Sequence, residues 1–224
     1  TKLYLMGGLT DAGAYSSNVH VYDTLADAWT TYATSYARAY HTANVNAGPV
    51  VLSGGVATTA SASEPLLLTF DTTTNAFSAQ ATTGSSPGSR RGHSAVISHG
   101  KLYVWGGDDA SAGETQTIHA LDLTSWLWEE LQSSGSRPYG RKFHSAAIVG
   151  NHRMYVFGGV DAIGVVHNDV HVLDLTTRLW SATLPSGTPP TARQLHSALL
   201  VDQSVYVFGG YTGQVGDVSR ARGM

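Results

Sequence analysis

The sequence predicts an all-β fold, a β-propeller built from four-stranded antiparallel blades, and two recurring features carry this prediction. The first is a glycine pair that closes a short apolar run and returns after 47, 52, 52 and 51 residues, at Gly7-Gly8, Gly54-Gly55, Gly106-Gly107, Gly158-Gly159 and Gly209-Gly210. The second is an Asp that follows each of the first four pairs by 16 or 17 residues, with a large aromatic ring six residues later. A period near 50 residues with four strand-like segments is typical of propeller blades.

The first strand of each repeat is marked by Arg-x-x-His, then a hydroxyl residue and Ala. This mark occurs at Arg38/His41, Arg90/His93, Arg141/His144 and Arg193/His196, and the next glycine pair follows the His by 13 or 14 residues. Small residues fit the crowded axis of a propeller, so we expect this strand to be the innermost one.

The second strand is the apolar run before each glycine pair, as in Met154-Tyr-Val-Phe157. Its β-branched and aromatic residues favour a buried strand over a helix. The glycines that end it permit positive φ or the close approach of the next blade, which a Cβ would obstruct. We therefore give an architectural role to the last four pairs, Gly54, Gly55, Gly106, Gly107, Gly158, Gly159, Gly209 and Gly210.

The third strand ends at Asp23, Asp71, Asp122 or Asp174, and the fourth carries Trp29, Phe77, Trp128 or Trp180. An Asp at a strand end can accept hydrogen bonds from the backbone ahead of it, which predicts a hairpin. The residue two before the ring would then take a left-handed conformation, which suits Asp27 and Asn75 better than Trp126 and Arg178. We expect the rings to be buried between blades.

The glycine pair after Tyr-Val-Phe, the Asp, the Trp six residues later and Arg-x-x-His-Ser together resemble the kelch repeat over nearly the whole chain. The first two repeats depart from it at Phe77, Ser53 and Val51. The resemblance implies a ring of six or seven blades, of which this chain holds about four to five. The predicted divisions are a partial blade at 1–37, blades at 38–89, 90–140 and 141–192, and a partial blade at 193–224.

Composition narrows the classes of function. The formal net charge is −3 and there is no Lys/Arg run, so nucleic acid is not an expected partner. Cysteine is absent, which excludes disulfides, thiolate metal sites and a Cys nucleophile within this sequence. No apolar run reaches the ~18 residues that span a bilayer. We expect a cytoplasmic protein, with cytoskeletal and ciliary components among the candidates.

The ten histidines could suggest a metal site, but most of them occupy repeated positions. A repeated residue is spread around the ring instead of converging on one ion, so no metal is expected. His41, His93, His144 and His196 are assigned structural hydrogen bonds. His167, beside Asp169 in a loop that is not repeated, is the one histidine kept as a functional candidate.

The same symmetry argument assigns Arg38, Arg90 and Arg193 first to fixing loops, by donation to carbonyls or acids. Arg141 shares their position but is kept as a binding candidate, because the resemblance implies that these loops line a face where kelch domains bind acidic or phosphorylated peptides. Exposed Tyr and Arg in loops on a rigid scaffold are typical recognition anchors. The non-repeated candidates for binding a partner are Arg91, Asp108, Asp109, Arg137, Tyr139, Lys142, Phe143, Asp161, His167, Gln194 and Tyr211.

No catalytic or phosphate-binding motif occurs, so the sequence predicts neither an enzyme nor a cofactor. The copper-radical oxidases that share the kelch propeller need a Cys that this sequence lacks. The leading hypothesis is a protein-interaction module within a larger adaptor or scaffold. Two alternatives are an enzyme or small-molecule binder with a site at the channel mouth, and a purely architectural subunit of a large assembly.

Overall fold

The computed structural model describes residues 1–46, 48–57, 66–109 and 113–212. In these ranges the chain forms strands and turns but no helix, so none of the described segments is a helix that could cross a membrane. The chain divides into two compact units, Thr1–Ala81 and Thr82–Met224.

The first unit contains the first nine strands. In chain order they are β1 (Lys2–Met6), β2 (Asn18–Asp23), β3 (Ala28–Ala33), β4 (Arg38–Ala39), β5 (Thr42–Val45), β6 (Val50–Ser53), β7 (Val56–Ala57), β8 (Leu67–Asp71) and β9 (Ala76–Ala79). They form a three-stranded sheet β1-β2-β3 and a four-stranded sheet β5-β6-β8-β9, and every pairing in both is antiparallel. Their core includes Val19, Leu52, Leu68 and Phe70.

The second unit contains the remaining strands. They are β10 (Thr83–Gly84), β11 (Arg90–Arg91), β12 (Ser94–Ser98), β13 (Lys101–Trp105), β14 (Asp108–Asp109), β15 (Gly113–Glu114), β16 (Ile118–Asp122), β17 (Leu127–Leu131), β18 (Ser134–Gly135), β19 (Arg141–Lys142), β20 (Ser145–Val149), β21 (Arg153–Phe157), β22 (Val160–Asp161), β23 (Val170–Asp174), β24 (Leu179–Ala182), β25 (Ser197–Val201) and β26 (Ser204–Phe208).

These strands build two full blades and the start of a third. Strands β12-β13-β16-β17 and β20-β21-β23-β24 pair in sequence order and antiparallel, and β25 pairs with β26. The first strands β12, β20 and β25 lie next to one another. This arrangement confirms the predicted all-β fold of propeller blades. Residues 213–224 of the predicted partial blade at 193–224 lie outside the described residues.

Each full blade of the second unit has a fifth strand that the sequence analysis did not anticipate. The connection before the blade adds a short parallel strand to its outer edge, β10 beside β17 and β18 beside β24. A Cβ on Gly135 would lie 2.3 Å from the carbonyl oxygen of Trp180, and a Cβ on Gly84 would lie 2.2 Å from the carbonyl oxygen of Trp128. These glycines therefore let the connection cover the exposed edge of the blade.

The hairpins between third and fourth strands have the predicted form. Asp122 Oδ1 accepts hydrogen bonds from the backbone N–H groups of Thr124 and Ser125, both at 2.9 Å, and the other three Asp residues do the same. These backbone hydrogen bonds also hold the pKa of Asp122 below its usual value. The residue two before each ring has positive φ, including Trp126 and Arg178 at 58° and 59°. The backbone requirement of the turn therefore overrides side-chain preference at these two positions.

The aromatic rings do not all behave as predicted. Trp128 and Trp180 are buried, and Trp180 packs 5.4 Å from the ring of Trp105 in the preceding blade. Phe77 is half-buried. Trp29 remains 54% exposed, which contradicts the expectation of burial for this position. Trp29 stacks on Tyr22 within its own blade, but in the described structure no connection covers it as β18 covers Trp180.

The repeated histidines join neighbouring blades. The Nε2 atom of His144 lies 2.9 Å from Ser94 Oγ, and the Nε2 atom of His196 lies 2.8 Å from Ser145 Oγ. A Cβ on Gly106 would be 2.8 Å from the His144 ring, so glycine here permits the next blade to approach. The His rings, the Ser hydroxyls and the glycine pairs thus meet at one seam between blades.

These buried histidines make stability depend on pH. Burial, reinforced by the charge of a neighbouring arginine, lowers the pKa of His41, His119 and His196 to about 4 and that of His144 well below its usual value. The unfolded chain binds these protons near pH 6.5, so stability is complete above that pH and falls as the pH drops towards 4.

We expect each of these histidines to remove about 1–2 kcal/mol from the free energy of unfolding between pH 7.5 and pH 5. Urea denaturation at the two pH values measures the loss. His119→Leu should lose correspondingly less than the unmodified protein. Equal free energies at both pH values would contradict the assignment of buried, neutral rings.

Candidate functional site

Short antiparallel ribbons lie beside the blades, at the end where each first strand begins. In each ribbon, the segment that starts with the repeated Arg pairs with the segment that follows a glycine pair. The paired positions are Arg38 with Ala57, Arg90 with Asp109, Arg141 with Asp161, and Gln194 with Tyr211. We call the surface of the three ribbons in the second unit the ribbon face. It gathers Arg91, Asp108, Asp109, Lys142, Asp161, Gln194 and Tyr211 from segments far apart in sequence.

Four charged side chains form a cluster between the first two ribbons of this face. Asp108 accepts from Arg91 Nη2 at 2.8 Å and from Lys142 Nζ at 3.3 Å, and Lys142 Nζ is also 2.6 Å from Glu114. Burial would raise the pKa of Asp108, but hydrogen bonds from Arg91 and Lys142 outweigh it and hold the pKa below its usual value. Both cations therefore have carboxylate partners within the protein, and an acidic ligand would compete with these carboxylates.

Arg141 does not meet the requirement for a direct binding residue. Its side chain is 1% exposed, and it donates to the carbonyl oxygens of Tyr139 and Gly158, both at 3.1 Å, and to Asp169. The sequence analysis kept Arg141 as a contact for the partner, and this is corrected: all of its donor nitrogens face groups of the protein itself. Arg38, Arg90 and Arg193 similarly donate to the carbonyls of Gly54, Gly106 and Gly209.

Phe143 lies at the junction of two ribbons. It has a φ of 59°, its N–H donates to Gly92 O at 2.7 Å, and its ring fills the space where Gly92 has no side chain. Leu195, at the same position in the next repeat, donates to Phe143 O at 2.9 Å. Phe143 is therefore half-buried by packing between blades, and only part of its ring faces solvent.

The loop from Asp161 to His167 is closed by its own hydrogen bonds. Asp161 Oδ1 accepts from the N–H groups of Ile163 and Val165, and Asp161 Oδ2 lies 2.9 Å from His167 Nε2. Burial would raise the pKa of Asp161, but the contact with His167 and the backbone donors keep it below its usual value. Asp161 and His167 thus shape the loop, while the exposed Ile163 forms its tip.

Arg137 and Tyr139 occupy the connection between the two full blades. Both side chains are exposed, Tyr139 to 76%, while Pro138 between them is buried. A Cβ on the following Gly140 would lie 2.7 Å from Glu114 O, so this connection lies against the first ribbon. Arg137 and Tyr139 are therefore exposed side chains on a connection that is held against the first ribbon.

Several residues that organise this site were not recognised from the sequence. Glu114, Asp169 and His171 each contact a predicted residue or its neighbour, and Gly84 and Gly135 carry the added strands. The glycines did have a signal, since Gly-x-x-Pro recurs at Gly84, Gly135 and Gly187 with the period of the blades. In the described parts of the chain, no group of three or more His, Asp or Glu side chains could hold a metal ion.

Comparison with known proteins gives one consistent result. Residues 40–220 match a family model described as the KLHDC2/KLHL20/DRC7 Kelch-repeats domain, and residues 1–35 match the Kelch motif. The chain is 30% identical to Kelch domain-containing protein 3 of Homo sapiens, over 96% of this chain and 62% of that protein. It is 31% identical to Acyl-CoA-binding domain-containing protein 5 of Arabidopsis thaliana, over 93% of this chain and 34% of that protein. The chain thus spans about three fifths of the first relative and a third of the second.

Proposed function

Because the chain belongs to the kelch-repeat family of β-propellers, we propose that it is a protein-interaction module and that its ribbon face, with the adjoining Arg137 and Tyr139, binds the partner. The observation that carries the proposal is the clustering of charged and polar side chains from separate repeats, most of which do not recur between blades. They come from separate repeats, yet they lie on ribbons and loops that are fixed by backbone pairing and salt bridges. A face that is ordered before binding loses little conformational entropy when a partner docks.

The proposed partner is a protein segment with acidic side chains. Arg91 is 47% exposed even though it pairs with Asp108, and Arg137 is exposed beside Tyr139. An acidic segment would pair with Arg137 and would compete with Asp108 for Arg91, while the Tyr139 ring supplies apolar contact area at low entropic cost. We further propose that the module belongs to a larger cytoplasmic adaptor or scaffold, with cytoskeletal and ciliary assemblies among the settings to test.

The test is a quantitative pull-down with the full-length protein, read by mass spectrometry. The test variant is Arg137→Ser/Tyr139→Ser. The matched control is His152→Ser/Arg153→Ser, which changes two residues at the β20–β21 hairpin, at the opposite end of the strands. We expect the amount of partner recovered to fall at least about tenfold with the first variant and to stay unchanged with the second. Partners that persist unchanged with both variants would overturn the proposed face.

A further inference from the structure

One carboxylate oxygen of the ribbon face holds two cations at once. Asp108 Oδ2 accepts from Arg91 Nε at 2.9 Å and Nη2 at 2.8 Å, and from Lys142 Nζ at 3.3 Å. Arg91 and Lys142 occupy the same repeat position in consecutive blades. A single Asp side chain therefore occupies the place where the cations of two ribbons converge.

A carboxylate is exceptional at the position of Asp108. The residue directly after the glycine pair is apolar or aromatic in the other repeats, namely Leu9, Val56, Val160 and Tyr211. Asp108 is as deeply buried as Val160, since each is 9% exposed. Withdrawing a carboxylate from water costs free energy that only close cations offset. Such a departure from the pattern of the repeat is more typical of a functional site than of the scaffold.

The junction between the two full blades does not depend on this ion cluster. Phe143 N–H donates to Gly92 O at 2.7 Å, and His144 Nε2 lies 2.9 Å from Ser94 Oγ. The next junction is built from the same two kinds of contact, with an apolar residue where the cluster has its carboxylate. Adjacent blades therefore pack without a carboxylate at this position.

Lys142 is held by a second carboxylate as well. Its Nζ atom lies 2.6 Å from Glu114, which is directly opposite Asp108 in the ribbon, so Lys142 offsets the repulsion between two neighbouring carboxylates. Burial would lower the pKa of Lys142, but the hydrogen bonds to Glu114 and Asp108 outweigh it and raise the pKa above its usual value. Lys142 is therefore a fixed, charged part of the cluster.

Arg91 is on the open side of the cluster. Its side chain is 47% exposed, against 23% for Lys142 and 11% for Asp108. If Arg91 turns to a carboxylate of a bound partner, Lys142 remains on Asp108. No buried carboxylate is then left uncompensated, so Arg91 can exchange one acceptor for another without the large cost of breaking a buried ion pair.

We propose that Asp108 is a built-in competitor of the acidic partner: it occupies Arg91 in the free protein, and a partner carboxylate takes Arg91 over while Lys142 keeps Asp108 neutralised. An acidic segment must then replace an existing charge-assisted hydrogen bond instead of finding a free cation. Asp108 thus lowers the affinity for every acidic segment, and those that also contact Arg137 and Tyr139 are favoured. This role rests on the proposed function above.

The test is the fluorescence anisotropy of labelled hexaglutamate, with labelled hexaglutamine as the uncharged control, on the full-length protein. Asp108→Asn and Glu114→Gln each remove one negative charge from the cluster, but only Asp108→Asn releases Arg91. We expect Asp108→Asn to bind hexaglutamate at least about tenfold more tightly than the unmodified protein. Glu114→Gln should gain at most about threefold, through the change in local charge alone.

Two further variants complete the test. Asp108→Val should fold, because Val stands at this position in two other repeats, and it should show the same gain as Asp108→Asn. Asp108→Asn/Arg91→Gln should lose the gain. Equal gains for Asp108→Asn and Glu114→Gln, no gain for either Asp108 variant, or a gain that persists without Arg91 would overturn the competitor.

The pull-down reports the proposed function separately. If Asp108→Asn shows the expected gain but partners persist with Arg137→Ser/Tyr139→Ser, the proposed binding face fails and the competitor stands. If partners are lost with Arg137→Ser/Tyr139→Ser but Asp108→Asn shows no gain, the binding face stands and the competitor fails.

Discussion

Replacing Trp180 with alanine should lower the free energy of unfolding by about 3–5 kcal/mol, as expected when a fully buried indole is removed and a cavity remains. Trp180 is 1% exposed, packs on Trp105 at 5.4 Å, and belongs to the core shared by the two full blades, with Val156 and Leu173. The β18 strand also lies along its backbone. Urea denaturation followed by circular dichroism measures the loss.

Trp29→Ala is the matched control, because Trp29 has the same place in the repeat but is half exposed. The transfer of its ring from water is only partial, so we expect a loss below about 1.5 kcal/mol. Similar losses for the two variants would show that position in the repeat, and not burial between blades, determines the contribution. Such a result would contradict the packing described for Trp180.

Replacing Arg141 with methionine should lower the free energy of unfolding by about 2–4 kcal/mol, because the carboxylate left without its partner is 37% exposed and partly hydrated. The change leaves the Asp169 carboxylate without its bidentate partner and removes the donor to Tyr139 O and Gly158 O. Arg193→Met is the matched control. Arg193 is half-buried and donates to Gly209 O, Thr191 O and Thr191 Oγ1, all uncharged acceptors, so we expect about 1–2 kcal/mol.

A double-mutant cycle separates the pair from the rest of the site. Arg141→Met/Asp169→Leu replaces both charges by apolar groups, so it should be more stable than the sum of the two single losses predicts. We expect a coupling energy of about 1–3 kcal/mol from urea denaturation of the four proteins. Strictly additive losses would show that Arg141 acts only through the carbonyls and not through Asp169.

The fold was largely predictable because its signals are local and repeat. An Asp that accepts from the backbone two residues ahead forms the same turn wherever it occurs, and even Trp126 and Arg178 adopt the left-handed conformation required there. The parallel strands β10 and β18 were missed because they pair with the next blade, about 45 residues away. Only the recurrence of Gly84 and Gly135 at the blade period indicated them.

The candidate site was predicted less completely. The paired segments of the ribbons were identified separately, and Arg91, Asp108 and Lys142 do meet. Symmetry argued that Arg141 is structural, but the resemblance to peptide-binding kelch loops kept it among the binding residues. Its burial matches that of Arg38 and Arg90 at the same repeat position, as the symmetry argument predicts. The contact between His171 Nδ1 and Ser136 O, which are 35 residues apart, likewise depends on the packing of two blades.

The most direct test of partner binding at the ribbon face is site-specific photo-crosslinking in cells, with the full-length protein carrying benzoylphenylalanine at position 139 or at position 152. Position 139 lies on the connection between the two full blades, and position 152 lies on the β20–β21 turn at the other end of the strands. Both side chains are exposed to solvent. We expect one or a few discrete protein adducts from position 139 that disappear in Arg137→Ser, and none of these adducts from position 152. Adducts with the same protein from position 152 alone would contradict binding at the ribbon face.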